Sequence, residues 1–225
     1  CVNIRSNSTS GGVIWFASGS SGSVVSNCLF CANHADGSAG AIRQPRTYAL
    51  KDCRFIENTA GGSGGALEVS NYDQTMSDCL FLRNRATKSG GAIYVTGSPA
   101  LFLAVSNCTF VGNHAGGNGG AVYGTFAHLA NCSFLTNTCT SSGGGIGLCR
   151  FCRTAWSNGD NNYAEVLKKV PAATFAKYDW VVTNCFFIAN SNAVPRSNTV
   201  FQGGTIHLKN SFFQKFVGCV FSDNV

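Results

Sequence analysis

One skeleton returns along this chain and leaves few folds open to it: Cys-x-Phe-x-x-Asn, five further residues, then Gly-Gly-Ala and an aliphatic residue. The clearest copy runs from Asn107 to Tyr123. Cys28/Phe30/Asn33 lead to Ala39-Gly40-Ala41-Ile42, Cys53/Phe55/Asn58 to Gly64-Gly65-Ala66-Leu67, and Cys79/Phe81/Asn84 to Gly90-Gly91-Ala92-Ile93. Cys108/Phe110/Asn113 lead to Gly119-Gly120-Ala121-Val122, and Cys132/Phe134/Asn137 to Gly143-Gly144-Gly145-Ile146. Cys185/Phe187/Asn190 reach Gly203-Gly204-Thr205-Ile206 after seven extra residues, and Cys219/Phe221/Asn224 close the chain. A degraded copy, Ile4-Arg5-Ser6-Asn7, precedes Gly11-Gly12-Val13-Ile14. A period of about 25 residues is one supersecondary unit that buries its apolar face only by stacking on its neighbours.

Each repeat carries three short strand signals. Cys and Phe stand two apart and so share a face. The Gly pair opens a second run, as in Gly90-Gly91-Ala92-Ile93-Tyr94-Val95, and a third ends with an apolar residue three positions before the next Cys (Val25, Leu50, Met76, Val105, Leu129, Val182, Phe216). With no helical periodicity in the repeats, this predicts an all-β, right-handed, single-stranded parallel β-helix of about eight coils with three strands per coil. Like residues then lie over like. Phe30, Phe55, Phe81, Phe110, Phe134, Phe187 and Phe221 form one file, and Asn33, Asn58, Asn84, Asn113, Asn137, Asn190 and Asn224 form an amide ladder beside it. The Gly pair implies positive φ or close packing. Asn or Asp before each Cys (Asn27, Asp52, Asp78, Asn107, Asn131, Asn184) suits a left-handed turn. The apolar residue after each Phe (Ile56, Leu82, Val111, Leu135, Ile188) calls for a bend right after Phe that turns both side chains inward; an exposed apolar stripe is the other reading.

The whole of residues 1–225 is expected to be one solenoid, cut from a longer chain because it begins and ends inside a repeat. Residues 147–184 form its one long insertion, in which Tyr163, Val166, Leu167 and Val170 fall at helical spacing and predict a short helix. Only 12% of residues are charged, and the net charge of +6 is scattered, which argues against nucleic acid as a partner. No apolar run approaches membrane-spanning length. Twelve cysteines are many. Those that follow the repeat read as buried packing residues, whereas Cys31, Cys139, Cys149 and Cys152 do not. Of these, Cys139, Cys149 and Cys152 are the disulfide candidates of the insertion.

Chemistry is sparse. The ten acidic residues do not cluster as polysaccharide lyases and hydrolases require: Asp52 and Asp78 read as turn formers, and Glu57, Glu68, Asp73 and Asp223 stand alone. Cys149-x-x-Cys152 is half of a zinc pattern without its other half. No phosphate-binding or dinucleotide motif is present, so neither a catalytic set, a metal nor a cofactor is expected. The position after each aliphatic residue reads Trp15, Arg43, Glu68, Tyr94, Tyr123, Gly147, His207. Such an outward file suits contact with a glycan or protein, because aromatic faces bury area at little entropic cost; strand propensity alone also places aromatics there. Asn7-Ser8-Thr9 is a glycosylation pattern independent of the repeat, unlike those at Asn107 and Asn131.

The pairing of Phe-x-x-Asn with Gly-Gly-Ala-Ile/Leu/Val, from Phe30-x-x-Asn33 through Phe221-x-x-Asn224, resembles the repeats of chlamydial polymorphic membrane proteins. The resemblance implies a secreted or surface-displayed passenger that mediates adhesion, usually followed by a membrane β-barrel. A non-enzymatic extracellular adhesin or rigid display scaffold is thus the first expectation, with a host or neighbouring-cell surface protein or glycan as partner. A subunit of an extracellular filament or matrix, in which copies of the chain are the partners, is the second. A pectate-lyase-like enzyme is the third.

Overall fold

The computed structural model describes residues 4–7, 11–16, 22–44, 48–70, 74–96, 103–124, 128–141, 143–149, 180–192, 205–209 and 214–224. They form a right-handed parallel β-solenoid of four sheets with seven strands each. One coil shows the order. A lead-in strand (Gln74–Ser77) is followed by the Phe strand (Leu80–Leu82), a two-residue Ala strand (Arg85–Ala86) and the aliphatic strand (Ile93–Thr96). Each strand pairs in register with its equivalents in the coils on either side, as Phe81 does with Phe55 and Phe110. Among the described residues there are six complete coils with a half coil at each end, which accounts for the difference from the expected count. The coil has four strands where three were expected. The fourth is too short for alternation to reveal: His34–Ala35, Thr59–Ala60, Arg85–Ala86, His114–Ala115 and Thr138–Cys139 each point one residue out and one in.

The core is a set of vertical files. The Phe rings stack with centroids 4.6–4.9 Å apart and planes within 6°, from Phe30 to Phe221. That spacing is the distance between hydrogen-bonded strands, so register alone creates the stack. Phe55, Phe81, Phe110, Phe134 and Phe187 are fully buried, and each contributes roughly 1.5–3 kcal/mol in apolar transfer. Beside them the amide ladder is closed. Asn84 Nδ2 donates to Asn113 Oδ1 at 3.0 Å and to the Phe55 carbonyl at 2.9 Å, while Asn84 Oδ1 accepts from the backbone N–H and Nδ2 of Asn58. The same four bonds hold Asn58, Asn113, Asn137 and Asn190. Each of these buried amides thus has its capacity filled, which removes the 1–3 kcal/mol penalty of an orphaned polar group. The repeat cysteines occupy a third file; the Cys53 thiol donates to the Lys51 carbonyl at 3.2 Å, and burial pushes its pKa up to about 11.

Corners follow from backbone chemistry. The residue before each Cys is left-handed: Asn27, Asp52, Asp78, Asn107, Asn131, Asn184 and Gly218 have φ between 50° and 63°. The two glycines of the pair do different things. Gly90 supplies a φ of +70°, while Gly91 passes so close to the next coil that a Cβ there would sit 2.0 Å from the Gly120 carbonyl oxygen and 2.6 Å from the His114 backbone.

Two expectations are corrected. The bend after Phe falls one residue later than anticipated. Ala32, Glu57, Arg83, Gly112, Thr136, Ala189 and Asp223 carry it, with φ between 52° and 60°. Ile56, Leu82, Val111, Leu135 and Ile188 therefore remain in a straight strand and are half-buried on its outer face. The stripe is the arrangement observed, because strand alternation continues to the bend. Cys139 is a free thiol, 2% exposed and in register with Ala115, so it fills the Ala file instead of stapling the insertion. The body of that insertion, with Cys152 and the predicted helix, lies outside the described residues, as does the side chain of Cys149. The insertion's two flanks are the strands Ile146–Cys149 and Trp180–Thr183.

Candidate functional site

The aliphatic sheet carries the outward file anticipated from the repeat. Ile42, Leu67, Ile93, Val122 and Ile146 are fully buried, so the residue after each must face out. Trp15, Arg43, Glu68, Tyr94, Tyr123, Gly147 and His207 are joined in that order by in-register pairing. Trp15 is 60% exposed. Arg43 Nε lies 3.3 Å from Glu68 Oε1, and the Glu68 side chain is covered almost completely, so this cross-strand pair is held more firmly than a typical surface pair. Tyr94 and Tyr123 stack with centroids 5.9 Å apart and planes within 3°. Burial, with a smaller effect of Tyr94, raises the Tyr123 phenol above its ordinary range. His207 takes the register position above Gly147; its side chain lies outside the described set.

A second feature escaped the sequence. An open groove of about 1270 Å³ runs along the corner between the lead-in and Phe strands, lined by Lys51, Asp52, Arg54, Asp78 and Asn107 among others. Asn27, Asp52, Asp78 and Asn107 of the left-handed file form its wall. Asn107 Nδ2 donates to Asp78 Oδ1 at 3.1 Å, Asn131 to Asn107 at 3.2 Å and Asn184 to Asn131 at 3.3 Å. Hydrogen bonds from Ser77 and then Asn107 hold the Asp78 carboxyl below its usual range. Asp52 lies 3.9 Å from Lys51. The Asn/Asp positions were legible as turn residues; the concavity behind them depends on how two sheets meet. Because Asp78 is held ionised and hydrogen-bonded, it is poorly suited to act as a general acid.

His34 and His114 lie in the two-residue Ala strands. His34 joins Asp36 Oδ1 through Nε2 at 2.9 Å and Thr59 Oγ1 through Nδ1 at 2.8 Å. His114 meets Thr138 Oγ1 at 2.8 Å, and burial followed by Arg85 lowers its pKa. Neither borders the groove. No group of three His, Cys, Asp or Glu side chains is placed to hold a metal ion among the described residues, and no described helix is long and apolar enough to cross a membrane. The Asn7 side chain is exposed, as a glycosylation acceptor must be.

Stacked files inside and a regular outward file on a flat sheet define a β-solenoid repeat protein. The chain belongs to the right-handed beta helix family: the family model described as "Right handed beta helix region" matches residues 2–146, more than half of its length. No curated protein and no solved structure shows significant similarity to it.

Proposed function

We propose that this chain is a non-enzymatic extracellular surface protein, an adhesin or rigid display scaffold of the polymorphic membrane protein type, whose partner is a protein or glycan on a host or neighbouring cell. The observation that carries the reading is the outward file on the aliphatic sheet. Trp15, the Arg43–Glu68 pair and the Tyr94–Tyr123 stack form one aligned strip on a scaffold whose inward positions are taken up by packing. Preorganised aromatic surface of this kind binds with little ordering cost. Among the described residues the acidic side chains support the same reading, because those on the groove serve the turn file and Glu68 is bound to Arg43. Adhesion of the purified chain to intact cells, measured for the wild type and for a Trp15→Ala/Tyr94→Ala/Tyr123→Ala triple variant, tests it. Loss of adhesion in the folded variant is expected. Release of unsaturated sugar from polyuronides by the wild type would replace this reading with the lyase-like one.

A second reading, a subunit of an extracellular filament or matrix, draws on the Phe-sheet stripe. Ile56, Leu82, Val111, Leu135 and Ile188 run the length of the outer face, with Leu29 55% and Phe186 45% exposed alongside. An apolar face with the same repeat as itself is suited to lateral pairing of copies. Regular fibres in electron micrographs, abolished by Leu82→Lys/Leu135→Lys, are its expected outcome.

A further inference from the structure

The sheet of two-residue Ala strands carries a second outward file, and its order repeats. Arg5, His34 and Thr59 stand in consecutive register positions, and Arg85, His114 and Thr138 occupy the next three. In both triplets the histidine Nδ1 meets the threonine Oγ1 of the next coil at 2.8 Å. With Nδ1 engaged in this way, Nε2 is the ring nitrogen left for another partner. In the first triplet it is taken: Asp36, two residues after His34, accepts from Nε2 at 2.9 Å. In the second triplet the residue two after His114 is Gly116, and a Cβ there would stand 2.1 Å from the Thr87 carbonyl oxygen. The coil therefore cannot supply a carboxylate of its own at that level. Among the described residues, no carboxylate pairs with Arg85 or His114.

We propose that Arg85 and His114 form a docking site for an aspartate or glutamate side chain on an acidic, partly apolar segment of a partner protein, which takes the place that Asp36 holds beside His34. The site lies on a different sheet from the aromatic strip and does not draw on it. Arg85 is exposed and stands one strand spacing, about 4.8 Å, from His114. The two oxygens of one carboxylate can thus accept from the guanidinium and from Nε2–H together. The local charge favours an anion: Lys88 is exposed three residues after Arg85, and Glu57, on the neighbouring bend, is already paired with Arg83 at 3.5 Å. A lone exposed ion pair contributes little, so a second contact must accompany it. Across the bend from Arg85 and His114 lie Leu82, Val111 and Leu135, half-buried on the outer face of the Phe strands. Apolar side chains beside a cationic pair match a protein segment that carries acidic and apolar residues together; an acidic sugar offers the carboxylate without the apolar side chains. The occupant of the first triplet is itself an aspartate.

Histidine-selective NMR of the full chain, titrated with the octapeptide acetyl-(Asp-Leu)4-amide in low-salt buffer, tests the site. The His114 ring signals are expected to shift and its pKa to rise by about one unit, because burial and then Arg85 lower it in the free chain and a carboxylate on Nε2 favours the charged ring. The His34 signals are expected to stay in place until Asp36→Ala vacates that triplet, whereupon they respond as well. Arg85→Gln, at an exposed position, is expected to weaken binding about tenfold and Leu82→Ser about threefold, and acetyl-(Asn-Leu)4-amide is expected not to bind. The Trp15→Ala/Tyr94→Ala/Tyr123→Ala variant is expected to bind the octapeptide as the wild type does. Should Arg85→Gln lose its native circular dichroism spectrum, the gain at His34 in Asp36→Ala decides the matter. A silent His114, equal binding by folded Arg85→Gln, or a silent His34 in Asp36→Ala overturns the proposal. Tighter binding of tetragalacturonate than of the octapeptide gives the site to an acidic glycan, and a dimer of the chain that the octapeptide dissociates gives it to a second copy; either result overturns the protein segment named here.

Discussion

Removing the amide of Asn113 would break four hydrogen bonds at once, those from the backbone N–H and Nδ2 of Asn84 and those to the Phe81 carbonyl and Asn137 Oδ1. At about 1–3 kcal/mol for the Asn84 backbone N–H left unpaired and roughly 0.5–1.5 kcal/mol for each of the other three bonds, Asn113→Leu is expected to cost about as much as the roughly 3–5 kcal/mol of Phe110→Ala, although it keeps a side chain of similar size. Chemical denaturation of both variants checks the match. The Gly pair gives a sharper contrast. Ala39 holds the first position natively with a φ of 62°, but at Gly90 a Cβ would stand 2.2 Å from the Ile93 carbonyl oxygen of its own coil, so Gly90→Ala is expected to cost more than the about 1–2 kcal/mol of a left-handed backbone alone. Gly91→Ala is expected to prevent folding, because its Cβ would meet main chain on the neighbouring coil. The thiols set a pH dependence. Burial raises Cys53 and Cys139 from 9.0 to about 11. Between these values the folded state holds more protons than the unfolded one, so stability falls as pH rises from 9 toward 11 and is fully present below 9. Equilibrium unfolding across that range measures it. Over the same range exposed Cys28 is expected to be alkylated well before buried Cys53.

At the scale of the strand, alternation decides what a residue is for. Phe81 and Leu82 are adjacent and both apolar, yet one is fully buried and the other half-exposed. Phe81→Ser is expected to unfold the chain near room temperature, whereas Leu82→Ser is expected to cost less than about 1 kcal/mol, the usual range for a surface change; paired melting curves distinguish them. The sequence offered two readings of this stripe, and the less favoured one holds because the second left-handed file carries no sequence mark. Asn and Asp announce the first corner, but Ala32, Glu57, Arg83 and Thr136 are not residues that seek positive φ. Packing of the whole stack places them there. The two-residue Ala strands were hidden for a related reason, since two residues carry no period.

As a whole molecule the solenoid is one-dimensional: each coil touches only the coils beside it, and stability is a sum of coil and interface contributions. The length between Gly-Gly-Ala and the next Cys varies from copy to copy, so lengthening the segment between Thr96 and Leu103 by several Gly and Ser residues is expected to leave the thermal midpoint within a few degrees. The sequence by itself determined the winding, the inward files of Phe, Asn, Cys and aliphatic residues, the first corner and the order of the outward strip. Each of these repeats with the coil, and stacking converts a period along the chain into contact between like residues. The second corner, the groove beside Asp78 and the near-complete burial of Glu68 were decided only by the tertiary structure. They arise where sheets meet or where neighbouring levels differ, and a motif that describes one coil at a time holds no information about how the next coil fits against it.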